Sequence, residues 1–205
     1  MSLFIPTYFS PISQYGMIFQ SEDLEFEVED NFQKQTYRNR CYIYGANGKQ
    51  LLNIPITHSK SDQKQKTKDI LIEKGSRWQK QHYKSLKAAY NSSPFFEFFE
   101  DDLLLIFEKD YKYLLDVNLD TFHFINDALE LLKEPKTTKE YHVSVLNDYR
   151  SMASVKKHPD CNSNTYTQVF DDKFGFIKNL SILDLLFMEG PNTISFLEKV
   201  NVTLR

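Results

Sequence analysis

Residues 3–29, LFIPTYFSPISQYGMIFQSEDLEFEVE, decide the fold, because they predict a strand, a helix and a second strand in that order. The apolar run 3–5 is typical of a buried strand, and the apolar residues within 12–20 recur at helical spacing. Residues 24–29 alternate apolar and acidic side chains, which indicates a strand with one buried face. The opening therefore predicts an α/β (or α+β) domain with both strands in its sheet.

A β-hairpin is predicted further along the chain, at residues 41–56. The runs 41–44 and 51–56 favour strands, and Asn47-Gly48 between them favours the positive φ angles of a type I′ turn. We expect the hairpin strands to join the two opening strands in one sheet.

Three helices are predicted after the hairpin. The first, over 76–90, places its apolar residues on one face. Ser93 and Pro94 suit an N-cap and a first helical position, so the second helix is expected over 95–108. A third apolar stripe at helical spacing runs over 111–132. We expect these helices to pack beside the sheet.

The segments between these elements are less regular. The polar stretch 57–68 predicts a mobile surface loop, or alternatively a lid, and 69–73 predicts a brief strand. Residues 136–172 are polar and give no long periodic pattern, apart from a short strand predicted at 142–146.

The last predicted core element is an apolar helix near the end of the sequence. Asn179 or Ser181 is expected to cap it, and Gly190-Pro191 to stop it. With no repeat or low-complexity tract, residues 1–205 are expected to form a single domain.

Composition argues against several classes of protein. The chain carries 25 basic and 28 acidic residues, and a net charge of -3 removes the attraction on which non-specific nucleic-acid binding relies. Cys41 and Cys161 lie far apart without a ligand pattern, so neither a disulfide nor a metal site is predicted. No run approaches the roughly 20 apolar residues of a membrane span, and no basic leader is seen. We expect a cytoplasmic protein, and the sequence indicates neither a cofactor nor an oligomeric state.

The polar run 34–40, KQTYRNR, is the strongest candidate site. Two arginine forks and a lysine in one loop suit the oxygens of a small anionic molecule, a phosphate or a carboxylate. Alternatively, the arginines pair with glutamates of the strand at 24–29. If the run binds an anion, Arg38→Ala is expected to abolish binding and to leave the melting temperature nearly intact. The predicted substrate-binding residues of the run are Lys34, Gln35, Tyr37, Arg38, Asn39 and Arg40.

Five further residues complete the predicted site. Trp78 and His82 lie one helical turn apart, and His82 is either a general base or a satisfied core histidine. Asn118, within an apolar stripe, either ties down backbone or faces a ligand. Tyr8 follows the first strand and is expected to face the same pocket. Glu27 is the second candidate for moving a proton.

Six stretches spread over nearly the whole chain carry a family resemblance. They are PTYFSP at 6–11, KQTYRNR at 34–40, NG at 47–48 with NIPI at 53–56, WQKQH at 78–82, YNSSPFF at 90–96 and NLSILDLLF at 179–187. In order and spacing they resemble the WbqC-like family, which is named for a protein encoded in bacterial O-antigen clusters. The opening loop lacks the His and the Gln that many members of that family carry there.

The resemblance implies surface-polysaccharide assembly through nucleotide-linked or acyl-modified sugars. The opening layout is also similar to that of nucleotidylyltransferase-like doubly wound domains. The usual nucleotide, zinc, serine-hydrolase and metal-dependent glycosyltransferase motifs are absent from the sequence. Two functions stay open: a transferase acting on an anionic nucleotide-linked or acyl-carrying substrate, and a non-catalytic ligand-binding or scaffolding protein.

Overall fold

A computed structural model describes residues 1–57, 64–156, 160–162 and 164–203 of the chain, and it shows a mixed α/β fold. The strands are β1 Ser2–Phe4, β2 Leu24–Phe26, β3 Arg40–Gly45, β4 Gly48–Asn53, β5 Lys136–Thr137, β6 Asn147–Asp148, β7 Asp160–Asn162 and β8 Asn201–Thr203. The helices are α1 Ile12–Gln20, α2 Trp78–Tyr90, α3 Phe96–Glu108, α4 Leu114–Ala128, α5 Asp171–Phe174, α6 Ile182–Glu189 and α7 Thr193–Leu197.

The predicted order of strand, helix and strand is confirmed, but the second strand ends at Phe26 rather than at 29, and Glu27 and Glu29 are buried rather than on an exposed acidic face. β1 and β2 are parallel neighbours, with Ser2 opposite Leu24 and Phe4 opposite Phe26. They belong to a four-stranded parallel sheet in the order β5-β2-β1-β6. The chain therefore adds strands on one side of β1 and then crosses to the other side to form β6. This reversal makes the gap between β1 and β6 the topological switch point of the sheet.

The hairpin of β3 and β4 is confirmed, but its predicted turn type and its predicted sheet are wrong. Gly45 pairs with Gly48, and only Gly48 of the four turn residues has a positive φ, of 94°. A type I′ turn would need positive φ at both central residues. The hairpin forms its own two-stranded sheet, separate from the four-stranded parallel sheet. β3 packs on α2 instead, where the Tyr90 hydroxyl accepts from the Tyr44 N–H at 3.0 Å.

The three predicted helices are present as α2, α3 and α4, with two boundary errors. Ser93 does not cap α3: its hydroxyl donates to the Tyr90 carbonyl at the end of α2, and Pro94 precedes the helix, which begins at Phe96. The third of these helices, α4, ends at Ala128 rather than near 132. Glu130 takes a φ of 53°, outside the helical range, so the chain turns away there.

Two predicted short strands are wrong. Residues 69–73 contain the end of a 3-10 turn, Thr67–Asp69, and two isolated bridges rather than a strand. The strand predicted at 142–146 lies at Asn147–Asp148 instead, where it pairs with β1. Part of the predicted mobile loop, 58–63, falls outside the described residues.

The helix α6 begins and ends as predicted. The Ser181 hydroxyl caps it by accepting from the Leu183 N–H at 3.3 Å, and the helix stops before Gly190. A contiguous cluster of buried apolar side chains joins α6 to the sheet, the hairpin and α1 through α4. No helix in the described part of the chain has the length and apolar character needed to cross a membrane.

Candidate functional site

A cavity of about 980 Å³ lies at the carboxyl edge of the parallel sheet, and we call it the carboxyl-edge cavity. Loops that follow β1, β2, β5 and β6 all contribute to it, so it opens beside the switch point. The described residues that line it are Ile5, Glu29, Asp30, Asn31, Gln33, Arg38, Lys66, Tyr141, Asp148, Arg150, Ser151, Ser154 and Lys156.

Arg150 and Asp148 form a forked pair at the end of β6. Arg150 donates from Nε to Asp148 Oδ1 at 2.9 Å and from Nη2 to Oδ2 at 2.5 Å. These hydrogen bonds hold the pKa of Asp148 below its ordinary value and raise that of Arg150. Nη1 donates to the His142 carbonyl at 2.7 Å, and the Tyr141 ring lies 5.0 Å from the guanidinium carbon. The fork is therefore fixed in place at the cavity wall.

Glu29 is held between two lysines on the neighbouring side of the cavity. Lys66 donates to one of its carboxylate oxygens and Lys68 to the other, and these bonds lower the pKa of Glu29. The Lys66 side chain is 49% exposed, whereas that of Glu29 is 6% exposed. The Glu29 carboxylate thus pairs with the ammonium groups of both lysines, and Lys66 is the one that lines the cavity.

Arg38 is a buried structural cation, in contrast to its predicted role. Its Nη2 pairs with Asp30, its Nε donates to Thr67 Oγ1 at 3.3 Å, and its Nη1 donates to Thr36 Oγ1 at 3.3 Å. The side chain is only 3% exposed. Burial lowers the Arg38 pKa, while the nearby Asp30 raises it. Its donors are therefore already directed at protein oxygens.

A second cavity, of about 540 Å³, lies beside the hairpin, and we call it the hairpin cavity. Its described lining shares no residue with the carboxyl-edge cavity. The described residues that line it are Phe32, Lys34, Gln35, Asn39, Arg40, Asn53, Ile54, Pro55, Ile56, Thr57 and Glu73.

The predicted single pocket is therefore wrong, because residues 31–40 form a wall between two cavities. Lys34, Gln35, Asn39 and Arg40 line the hairpin cavity, and Arg38 lines the other. Tyr37 is held by the backbone, since its N–H donates to the Ala153 carbonyl and its own carbonyl accepts from Tyr8. Burial raises the pKa of Tyr37 to about 12.

Tyr8, Trp78 and His82 meet in the interior instead of at either cavity. The Tyr8 hydroxyl lies 3.0 Å from His82 Nδ1, and the Trp78 and His82 rings are 5.3 Å apart. Burial lowers the pKa of His82 to about 4, although a hydrogen bond with the Asn53 backbone opposes the shift. The group is aromatic core, and His82 does not face either cavity.

Glu27, the other predicted proton carrier, is fully buried. Its Oε1 accepts from the Glu29 N–H and the Thr138 hydroxyl, at 2.9 and 2.8 Å, and its Oε2 accepts from the His142 N–H at 3.2 Å. It ties the chain after β2 to the chain after β5, and it is absent from the described lining of the carboxyl-edge cavity.

Asn118 ties down backbone. Its Nδ2 donates to the carbonyls of Pro6 and Arg38, at 3.1 and 2.9 Å, so it links the loop after β1 to the wall between the cavities. Its Oδ1 is buried without a partner among the described residues. The amide thus lies behind the cavities and supports them.

Sequence reasoning missed Tyr141, Asp148 and Arg150, because residues 136–172 carry no periodic pattern. Placing the strand at Asn147–Asp148 would have identified them, since side chains at the carboxyl ends of parallel strands meet at one edge. Lys66 was overlooked inside a stretch that looked uniformly polar.

The profile of the WbqC-like protein family matches residues 6–168, most of the chain. The chain belongs to the WbqC-like protein family. The matched span of this WbqC-like chain includes all the described lining of the hairpin cavity, and that of the carboxyl-edge cavity except Ile5. No curated protein and no solved structure matches it.

Proposed function

We propose that this WbqC-like protein binds a small anionic molecule in the carboxyl-edge cavity and acts there as a transferase of bacterial surface-polysaccharide biosynthesis. The substrate would be nucleotide-linked or acyl-carrying, so that a phosphate or a carboxylate enters the cavity. The position of the cavity carries the proposal: open α/β sheets bind ligands at the carboxyl ends of their strands, beside the topological switch point. A volume of about 980 Å³ is adequate for a nucleotide-sized molecule.

The cations of the cavity support an anionic ligand. Lys66 and Lys156 are exposed. Arg150 already donates to Asp148 and to the His142 carbonyl, so it contributes the positive charge of a fixed guanidinium at the cavity wall. A phosphate oxygen can take the place of Glu29 at Lys66, because Lys68 still neutralises Glu29. The exposed ring of Tyr141 offers a face on which a planar group can stack.

Asp148 is the carboxylate that we place at the reacting end of the substrate. Its side chain is 36% exposed, unlike that of Glu27. Because Arg150 keeps its pKa low, Asp148 is ionised at neutral pH and acts as an acceptor that orients a substrate hydroxyl.

A non-catalytic binding protein is the second candidate, and a specific observation favours it. The carboxylates of Glu29, Asp30 and Asp148 are each engaged by a cation, and His82 is buried. The described lining thus contains no histidine and no carboxylate without a cationic partner to serve as a general acid or base. This reading predicts affinity without turnover.

A thermal-shift screen with nucleotides, nucleotide sugars, acyl-CoA and amino acids tests the proposal. A ligand at 100 times its Kd stabilises the fold by about 2.7 kcal/mol, and each kcal/mol raises the melting temperature of a domain this size by about 2–4 °C. We expect a nucleotide or an acyl-CoA to give such a shift, and Arg150→Gln and Lys66→Gln to reduce it.

Arg77→Gln serves as the matched control, since Arg77 is exposed and lines neither cavity. Circular dichroism verifies that each variant is folded. Product formation from the ligand found would establish the transferase, whereas binding without turnover would favour the second candidate. The site assignment is wrong if the panel causes no shift, or if the lysine and arginine variants bind as tightly as the wild type.

A further inference from the structure

The Arg40 guanidinium differs from those of Arg38 and Arg150, because it has no partner among the described residues. In the part of the chain that the structure describes, its side chain makes neither a hydrogen bond nor an ion pair, and its Nε is buried. Buried polar groups in folded proteins are nearly always hydrogen-bonded. A buried donor in a cavity wall, with no protein partner among the described residues, is available to a ligand in that cavity.

A second polar atom in the same wall is also unsatisfied. Asn39 is 6% exposed, and its Oδ1 is buried without a partner among the described residues. Its amide nitrogen donates to Asn53 Oδ1 at 3.2 Å and to the Ile54 carbonyl at 2.9 Å. These two acceptors fix the orientation of the amide, so the free oxygen is not explained by a flipped side chain.

We infer that the hairpin cavity is a second binding site, for a small organic anion whose carboxylate or phosphate oxygens pair with Arg40. Lys34 supplies another cation, and Glu73 is the acidic residue of the described lining. Glu73 forms no ion pair with either cation within 4.0 Å, so it leaves both available. A planar guanidinium matches two oxygens of either anion.

The remaining lining indicates an anion with an apolar body. The described lining includes four apolar residues, Phe32, Ile54, Pro55 and Ile56, beside the polar and charged ones. A volume of about 540 Å³ lies within the range of small-molecule pockets. Asn53 and Asn39 add amides that can bind a neutral polar group of the same ligand.

Titration calorimetry and NMR with three probes test this site: benzoate, phenyl phosphate and the neutral benzamide. We expect at least one of the two anions to bind and to shift the Nε–Hε resonance of Arg40, with benzamide binding at least tenfold more weakly. Arg40→Gln should weaken anion binding at least tenfold. Arg40→Lys, which keeps the charge and loses the fork, should weaken it by a smaller factor.

Two control variants locate the binding. Arg77→Gln removes the same charge elsewhere on the surface, and it should bind the anions as the wild type does. Arg150→Gln weakens the carboxyl-edge cavity, and in this variant the anions should still shift the Nε–Hε resonance of Arg40 as they do in the wild type. The inference is overturned if neither anion binds at millimolar concentration, if Arg40→Gln binds them unchanged, or if Arg150→Gln alone abolishes binding. That last outcome would instead support the carboxyl-edge site.

Discussion

Arg38 and Arg40 lie two residues apart on one wall, and their surroundings are opposite. Arg38 is buried with Asp30, Thr36 and Thr67 as partners, whereas Arg40 has no side-chain partner in the described structure. One cation completes the fold, and the other is available to a ligand. A run of cationic residues in a sequence therefore predicts that positive charge is used in that segment. It does not show whether the partner of each cation is a protein group or a ligand.

When each arginine is replaced separately by methionine, we expect the larger loss of stability at position 38. Arg38→Met leaves Asp30 buried without its cation, and breaking a buried pair in this way costs about 3–5 kcal/mol. We expect urea denaturation to show that loss in the free energy of unfolding. This is the reverse of the expectation from the sequence, which was that loss of Arg38 would spare stability.

The double variant Arg38→Met with Asp30→Leu distinguishes the lost pair from lost packing. Replacing a whole buried pair by apolar residues is often nearly neutral. The double variant should therefore be more stable than Arg38→Met alone. If Arg38→Met unfolds at the wild-type urea concentration, Arg38 is not the structural member of the comparison.

His82 extends the comparison to pH, since it too is enclosed by the fold. Its folded pKa of about 4 lies below the ordinary 6.5, so its stabilising contribution is complete above pH 6.5 and is lost as the pH falls through 4. The shift corresponds to about 3 kcal/mol. We expect the stability difference between wild type and His82→Gln to shrink by that amount between pH 7 and pH 4.

NMR titration of the His82 ring supplies the direct measurement. A ring that titrates near pH 6.5 would show that His82 is solvated, and it would return the residue to the list of proton carriers.

The smallest effect on stability is expected at position 40. Arg40→Met removes an unsatisfied buried donor and breaks no pair, so the free energy of unfolding should change by less than about 1 kcal/mol, in either direction. The same urea measurement applies to both methionine variants. A loss as large as that of Arg38→Met would mean that Arg40 has a structural partner, and would weaken the case for a ligand there.

The fold was largely predictable where local pattern and tertiary environment agree. Periodicity identified α1, α2 and α6, and alternation identified β2. The two-residue strands β5 and β6 could not be predicted, because two residues carry no periodicity and their pairing depends on β1 and β2 across the sheet. The hairpin was clear, but its sheet was not, since sheet membership is a tertiary property.

The candidate site was predictable only in part. The run 34–40 does line two cavities, yet the sequence could not show which side chains face which cavity. The sequence did not indicate Asp30 as the partner of Arg38, because the alternating pattern of residues 24–29 drew attention to the glutamates of that strand instead. Arg150 and Asp148 come from a segment without a signal, and only the parallel pairing of β6 with β1 brings them to the sheet edge.

The pairing of β1 with β6 also bears on how the chain reaches its folded state. Ser2 lies opposite Asn147, so a very long loop must close before the sheet can gain its fourth strand. Contacts of such large sequence separation are associated with slow folding. Until β6 arrives, one edge of the apolar strand β1 presents unpaired backbone groups, which are a template for association with other chains. During synthesis that edge stays open for most of the chain's length, so the interval before β6 emerges is the period in which this protein has the greatest need of a chaperone.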